Sequence, residues 1–127
     1  MSLPANPRML VVEDHPDVRT SVAQQFEEED FTVDTADDGI PARMLILQNN
    51  YDIVLLDLSL PRMNGVTLMK ELVKIGKLPN VIVLTAWNSL PKAVECVKLG
   101  AKSYLLKPYD PAELLKVVMR TLYPEGT

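Results

Sequence analysis

Four short apolar runs of this sequence each lead into residues that could take part in metal or phosphoryl chemistry. These residues and the runs before them are Glu13 and Asp14 after Met9–Val12, Asp57 after Ile53–Leu56, Thr85 after Val81–Leu84, and Lys107 after Tyr104–Leu106. In an open parallel sheet, functional groups gather beyond the carboxyl ends of the strands. If the runs are strands of such a sheet, three carboxylates, one hydroxyl and one ammonium group should share one crevice.

This set of side chains is suited to forming an aspartyl phosphate. Crowded carboxylates repel one another, and a hard divalent cation such as Mg²⁺, which prefers oxygen ligands, relieves that repulsion. An aspartate can attack a phosphoryl group as a nucleophile, while a metal ion and a lysine neutralise the phosphoryl oxygens. The hydroxyl of Thr85 can donate a hydrogen bond to a further oxygen. The residue types therefore favour phosphoryl transfer to a carboxylate.

The apolar runs themselves predict a parallel β-sheet. Aliphatic runs of this length without alternation are typical of strands buried on both faces. Phe31–Thr35 instead alternates apolar with polar residues, which predicts an edge strand with one exposed face. Helical patterns lie between the strands, so strand and helix alternate along the chain. We therefore predict an α/β fold, a doubly wound five-stranded parallel sheet in the order 2-1-3-4-5 with five helices on both faces.

Each predicted helix carries an apolar stripe that should pack against the sheet. The stripes are Val18, Val22 and Phe26; Ile40, Met44 and Leu47; Val66, Met69 and Val73; Leu90, Val94 and Val97; and Leu114, Val118 and Leu122. Prolines mark helix starts, where a missing N–H costs nothing, at Pro16, Pro41, Pro91 and Pro111. Asp110 is a natural N-cap, and Gly76 and Gly100 stand where two helices should end.

The composition fits one small domain and excludes several classes of protein. The chain has 127 residues, a formal net charge of −4, 47% apolar and 24% charged residues, close to the average for globular domains. Its apolar runs fall far short of the roughly 20 residues that span a bilayer, and its N-terminus lacks a secretory signal pattern. Its mild acidity argues against a basic nucleic-acid surface. With Cys96 as the single cysteine, no internal disulfide can form, and we expect a cytoplasmic protein.

Four segments of the chain carry a specific family resemblance. They are Leu10-Val-Val-Glu-Asp-His-Pro16, Val54-Leu-Leu-Asp-Leu-Ser-Leu-Pro-Arg-Met-Asn-Gly65, Leu84-Thr-Ala86 and Lys107-Pro108. In combination they resemble the receiver domain of two-component response regulators, a chemotaxis-type, flavodoxin-like fold. The resemblance covers about residues 8–122. It implies a receiver domain over residues 8–123, tails at residues 1–7 and 124–127 of the kind that cloning can add, and no output domain in this chain.

The resemblance implies a role for each candidate residue. Asp57 would accept the phosphoryl group from a histidine kinase or a histidine phosphotransfer protein. The ligands of Mg²⁺, or of Mn²⁺ in its place, would be Glu13, Asp14, Asp57 and the backbone carbonyl of Ser59. Lys107 would pair with one phosphoryl oxygen and Thr85 would hydrogen-bond another, and the bond between Lys107 and Pro108 would be cis.

The resemblance also implies a switch between two states. Thr85 would move toward the phosphoryl group and Tyr104 would turn into the vacated space, reshaping the surface of the fourth helix, fifth strand and fifth helix. That surface would serve an effector outside this chain or a homodimer, with no direct contact to nucleic acid or membrane. The chain would then be a regulatory phosphoacceptor that catalyses only its own phosphorylation and dephosphorylation, not an enzyme acting on other substrates.

Three alternatives remain open at this stage. A magnesium phosphatase with an aspartate nucleophile, as in the haloacid dehalogenase family, needs a second aspartate two residues after the first, but Ser59 stands there. A flavodoxin-like cofactor binder needs a loop rich in glycine and hydroxyls after the first strand, where this chain has Glu13-Asp-His-Pro16. A pseudo-receiver that acts without phosphorylation would keep the fold and use it as an interaction module.

Overall fold

Strands and helices alternate throughout the computed structural model, which describes residues 5–60 and 62–124. The strands are β1 (Arg8–Val12), β2 (Thr32–Ala36), β3 (Ile53–Asp57), β4 (Val81–Ala86) and β5 (Ser103–Lys107). The helices are α1 (Pro16–Glu27), α2 (Gly39–Gln48), α3 (Gly65–Lys74), α4 (Leu90–Leu99) and α5 (Pro111–Leu122). A 3₁₀ turn, Trp87–Ser89, joins β4 to α4. Of the predicted tails, residues 1–4 and 125–127 lie outside the described residues.

The strands form one parallel sheet in the order β2-β1-β3-β4-β5, which confirms the predicted topology. Val12 lies beside Leu56, and Asp57 lies beside Leu84. In this register β1, β3 and β4 end at the same edge of the sheet. The residues that follow these strands are therefore neighbours in space although they are far apart in sequence.

Two hydrophobic cores cover the two faces of the sheet, because side chains of a strand alternate between faces. Leu10, Val54 and Val83 point toward α2, α3 and α4. Val11 and Leu55 point toward α1 and α5. In the described part of the chain, no helix combines the length and the apolar character needed to cross a membrane.

The prediction that Tyr104–Leu106 is buried on both faces is wrong. Leu105 is 8% exposed, whereas Tyr104 is 39% and Leu106 is 37% exposed. The reason is the position of β5 at the edge of the sheet, where one face is incompletely covered by the neighbouring helices. The opposite edge strand is β2, as predicted, but its exposed residues, Thr32 and Thr35, lie on opposite faces and do not follow the predicted alternation.

The apolar stripes are confirmed for α1 and α5, but two of the others are wrong. Helix α2 buries Ala42 and Ile46 and leaves its predicted stripe exposed, and α4 buries Ala93 and Cys96 instead of its valines. The exposed stripe residues, which include one from α3, are Ile40, Met44, Leu47, Val73, Val94 and Val97. Small side chains let a helix approach the sheet closely, and α2 has apolar residues around most of its circumference. Periodicity therefore could not select the buried face.

The helix ends largely follow the predicted signals. Asp110 caps α5 by accepting a hydrogen bond from the Ala112 N–H at 2.9 Å. Gly76 (φ 70°) and Gly100 (φ 127°) have the positive φ that ends many helices. Pro41 does not begin α2, which starts two residues earlier. The first four N–H groups of a helix have no partner within it, so proline is tolerated at this third position.

Candidate functional site

Three carboxylates meet at the edge of the sheet where β1 and β3 end. One oxygen from each of Glu13, Asp14 and Asp57 lies within 4.8 Å of the others. Glu13 and Asp57 are each 3% exposed, while Asp14 is exposed to solvent. The parallel pairing of β1 with β3 produces this cluster, because it places the residues after Val12 beside the end of β3.

Lys107, the last residue of β5, reaches across to the same cluster. Its Nζ lies 2.9 Å from Oδ2 of Asp57 and 3.2 Å from Oε1 of Glu13. Burial lowers the pKa of Lys107, but the hydrogen bonds and negative charges of Asp57 and Glu13 raise it by more, so the net shift is upward. The bond between Lys107 and Pro108 is cis, as the resemblance implied. The ammonium group is thus held charged between two nearly buried carboxylates.

The carboxyl group of Glu13 is held by backbone as well as by Lys107. Its Oε2 accepts a hydrogen bond from the His15 N–H at 3.1 Å. Burial is the main cause of the raised pKa of Glu13, and the charge of Asp57 adds to it, while the His15 N–H and Lys107 oppose the shift. A further cation at this place would therefore stabilise the ionised form of Glu13.

Ser59 lies in the loop between β3 and α3, directly after the buried strand end. Its backbone N–H donates to Oδ1 of Asp57 at 2.9 Å, while its side chain is exposed. Gly65 packs onto the same stretch, since a Cβ at this position would stand 2.6 Å from Cδ2 of Leu58 and 3.2 Å from the carbonyl oxygen of Asp57. The loop is therefore folded tightly over the end of β3.

Thr85 and Tyr104 lie on the neighbouring strands β4 and β5. Thr85 is 1% exposed and its hydroxyl donates to the carbonyl oxygen of Ala86 at 3.2 Å. Tyr104 pairs in register with Val83, two residues before Thr85, and its ring is partly exposed. Because Asp57 pairs in register with Leu84, Thr85 lies one residue beyond the end of β3. Its hydroxyl makes its hydrogen bond within its own strand.

The donor set fits a hard divalent cation. It consists of carboxylate oxygens, two of them from nearly buried residues, at one converging point. Mg²⁺ takes such oxygen ligands, keeps several waters and needs few protein groups. The exposed Asp14 leaves one side of the cluster open to solvent. These residues suit Mg²⁺ better than Zn²⁺, which favours histidine and cysteine ligands.

Two residues near the site were not identified from the sequence. Tyr109 follows the cis bond and is half-buried. Burial raises its pKa; the charge of Lys107 opposes this shift and the charges of Glu13 and Asp57 add to it, so the net shift is upward. It also lines a groove of about 280 Å³ between α1 and the start of α5. Asp38 is a buried carboxylate that contacts the β3–α3 loop. Its position before a glycine and an apolar run was a capping signal in the sequence.

Comparison with known proteins identifies the family of the chain. The family model described as "Response regulator receiver domain" matches residues 9–119. Among solved structures, the receiver domain of the Francisella response regulator 1452 has a TM-score of 0.85 and 34% identity, covering 96% of this chain and 100% of that one. A CheY-like receiver domain protein from Methanospirillum hungatei has a TM-score of 0.87 and 27% identity, covering 95% and 97% of the two chains.

Curated relatives are longer than this chain. The "Probable transcriptional regulatory protein SilR" of Salmonella typhimurium is 39% identical over 121 residues, which are 94% of this chain and 52% of that protein. The transcriptional regulatory protein CusR of Escherichia coli K12 is 35% identical over 119 residues, again 94% and 52%. The chain thus spans about half the length of the curated relatives it matches. Because its fold, its family match and the order of its motifs all agree, the chain belongs to the response regulator receiver domain family of two-component systems.

Proposed function

We propose that this domain takes a phosphoryl group from a phosphohistidine donor onto Asp57 in a Mg²⁺-dependent reaction and thereby switches a partner-binding surface. The observation that carries the proposal is the contact of the Lys107 ammonium with Asp57 inside a cluster of three carboxylates. The donor is a histidine kinase or a histidine phosphotransfer protein in the cytoplasm. Receiver domains are regulatory, and this one catalyses only its own phosphorylation and dephosphorylation.

In the transfer step, an oxygen of the Asp57 carboxylate attacks phosphorus and forms the new P–O bond. The P–N bond to the donor imidazole breaks, and its electron pair leaves with that imidazole. Lys107 pairs with one phosphoryl oxygen, and the hydroxyl of Thr85 turns from the Ala86 carbonyl to donate to another. These charge-assisted contacts stabilise the charge on the transferring group.

Glu13, Asp14, Asp57 and the backbone carbonyl of Ser59 are the groups that would hold Mg²⁺. When bound, the ion supplies positive charge that offsets the repulsion among these carboxylates and the incoming phosphoryl group. Mn²⁺ can take its place, since it also suits oxygen ligands. Glu13 gains from this charge, because its burial disfavours ionisation.

The switch we propose uses the exposed side of β5. A turn of Thr85 toward the phosphoryl group leaves space beside β5, into which the ring of Tyr104 rotates from its half-exposed position. Tyr104 and Leu106 on β5 and Val94 and Val97 on α4 present apolar surface there. Changes at this surface, formed by α4, β5 and α5, would control a homodimer or an effector outside this chain, and the names of the curated relatives favour a transcriptional output.

Fluorescence of Trp87 tests the proposal, because this exposed residue follows Thr85 by two positions. Mg²⁺ should change the emission, and acetyl phosphate or beryllium fluoride should change it further. Mass spectrometry should detect one added phosphoryl group in the wild type and none in Asp57→Asn. Asp52→Asn is the matched control, since it removes one carboxylate at the opposite end of β3 and should still be phosphorylated.

Two results would contradict the proposal. A wild type that gains no phosphoryl mass from acetyl phosphate in Mg²⁺ would make the domain a phosphorylation-independent interaction module. Sustained turnover of many phosphate esters would make it a phosphatase. The sequence after Asp57, Leu58-Ser59, argues against the latter, because such phosphatases use a second aspartate as general acid at the second position.

A further inference from the structure

A third buried carboxylate, Asp38, lies outside the acidic cluster and has a different set of partners. It is 1% exposed and stands before α2 as its N-cap. Oδ1 accepts hydrogen bonds from the Ile40 N–H at 3.4 Å and from the Met63 N–H at 3.3 Å, and Oδ2 pairs with Nε of Arg62. One carboxylate therefore ties the start of α2 to the loop between β3 and α3.

The backbone of that loop is in a conformation that needs support. Arg62 has φ 31°, in the region of positive φ that side chains other than glycine rarely occupy. Such residues persist where the surrounding structure holds them in place. The paired carboxylate of Asp38 is the group that holds both Arg62 and the next residue, Met63.

Close packing provides a second and independent tie between α2 and the same loop. A Cβ at Gly39 would lie 2.9 Å from Cβ of Met63 and would overlap the Met63 carbonyl oxygen. Neither of these atoms can move without moving the loop backbone. Glycine at this position therefore lets the first residue of α2 rest directly against the loop.

We propose that Asp38 is a positioning residue, which with Arg62 and Gly39 fixes the β3–α3 loop and, through it, the Ser59 carbonyl at the metal site. This inference rests on the proposed Mg²⁺ binding. Ser59 is already joined to the acidic cluster by its N–H bond to Asp57. Weakening of the contacts of the Asp38 carboxylate with Arg62 and Met63 lets this part of the loop shift, so the carbonyl loses its alignment with the carboxylates.

Titration of the full chain with MgCl₂, followed by Trp87 fluorescence, measures this effect. Asp38→Asn keeps an oxygen for the two backbone N–H groups but loses the ion pair, and Gly39→Ala pushes on the loop without changing charge. Both should weaken Mg²⁺ binding by about tenfold, the size typical of groups that orient metal ligands. Asp52→Asn, which also removes one negative charge, should bind Mg²⁺ like the wild type.

Arg62→Gln separates positioning from simple electrostatics. Removing a positive charge from the neighbourhood of a cation site should tighten Mg²⁺ binding if charge alone matters, whereas loss of the anchor should weaken it. Thermal unfolding of each variant without metal identifies the temperature range in which it is folded, and the Mg²⁺ titrations are compared within that range. Wild-type affinity for Mg²⁺ in Asp38→Asn and Gly39→Ala, or tighter Mg²⁺ binding in Arg62→Gln, would overturn this inference and leave the proposed function unaffected. Absence of Mg²⁺ binding in the wild type would instead overturn the proposed function.

Discussion

The ammonium of Lys107 lies 2.9 Å from Oδ2 of Asp57, the carboxylate oxygen that faces it across the end of the sheet. The lysine also contacts Glu13 at 3.2 Å, so its single positive charge is shared by two of the three carboxylates. In the absence of other cations it stabilises the cluster. It also competes with any cation that approaches the same oxygens.

Replacing Lys107 with methionine should therefore change metal binding and phosphorylation in opposite directions. Without the competing charge, we expect Mg²⁺ to bind about tenfold more tightly, a change of about 1.4 kcal/mol. Without the cation on the phosphoryl oxygen, the rate of phosphorylation by acetyl phosphate should fall about a hundredfold. Titration by Trp87 fluorescence and timed mass spectrometry measure the two quantities.

Lys102→Met is the control for this substitution, because it removes a lysine on the solvent-exposed segment before β5. It should change neither quantity. Weaker Mg²⁺ binding in Lys107→Met would mean that the lysine supports the metal site instead of competing with it.

Gly65→Ala should destabilise the protein although alanine is the better helix former. Gly65 is the first residue of α3, and a Cβ there would stand 2.6 Å from Cδ2 of Leu58 and 3.1 Å from its Cα. We expect a loss of about 1–3 kcal/mol in the free energy of unfolding, the usual cost of overpacking. Urea unfolding measures it.

Gly76 offers a contrast, because nothing lies within 4 Å of a Cβ at this position and its φ is 70°. Here the cost comes from backbone conformation, so Gly76→Asn should be milder than Gly76→Ala, since asparagine tolerates positive φ better. Equal losses in the two Gly76 variants would contradict this explanation.

Asp38 should make a pH-dependent contribution to stability. Burial raises its pKa, but hydrogen bonds from the Met63 and Ile40 N–H groups and the charge of Arg62 lower it by more, so the net pKa is below the ordinary 3.8. A lowered pKa stabilises the folded state above the unfolded-state value and loses this effect as the pH falls through the folded-state value.

Urea unfolding of the wild type and Asp38→Asn at a series of pH values tests that contribution. The stability advantage of the wild type should be constant from about pH 5 to 7 and should shrink below about pH 4. An advantage that grows on acidification would contradict the lowered pKa.

Cys96 should be unreactive toward disulfide reagents in the folded protein. It is 0% exposed on the sheet side of α4, and burial raises its pKa to about 11. At pH 8 its modification then requires opening of α4, because the thiolate is the reactive form. The rate of reaction with an aromatic disulfide should rise steeply when urea is added. Rapid modification without urea would show that α4 opens readily in the native state.

The sequence by itself determined which residues meet at the candidate site. Carboxyl ends of neighbouring parallel strands lie at one edge of a sheet, so runs that end in Glu13, Asp57 and Lys107 had to bring these residues together once the strand order was inferred. The stripes of α1 and α5 were also predictable. Helix α1 has few apolar residues outside its buried face, and those of α5 beside its stripe, Leu115, Val117 and Met119, pack partly against the same core.

The tertiary structure alone decided which face of α2 and α4 is buried and how the β3–α3 loop is held. On α2 the small Ala42 permits close approach to the sheet while Met44 faces solvent, a choice that depends on fit between surfaces and not on periodicity. The contact of Asp38 with Met63 joins segments 25 residues apart. A capping signal can be found from neighbours in sequence, but a long-range partner exists only after the sheet has placed both loops at the same edge.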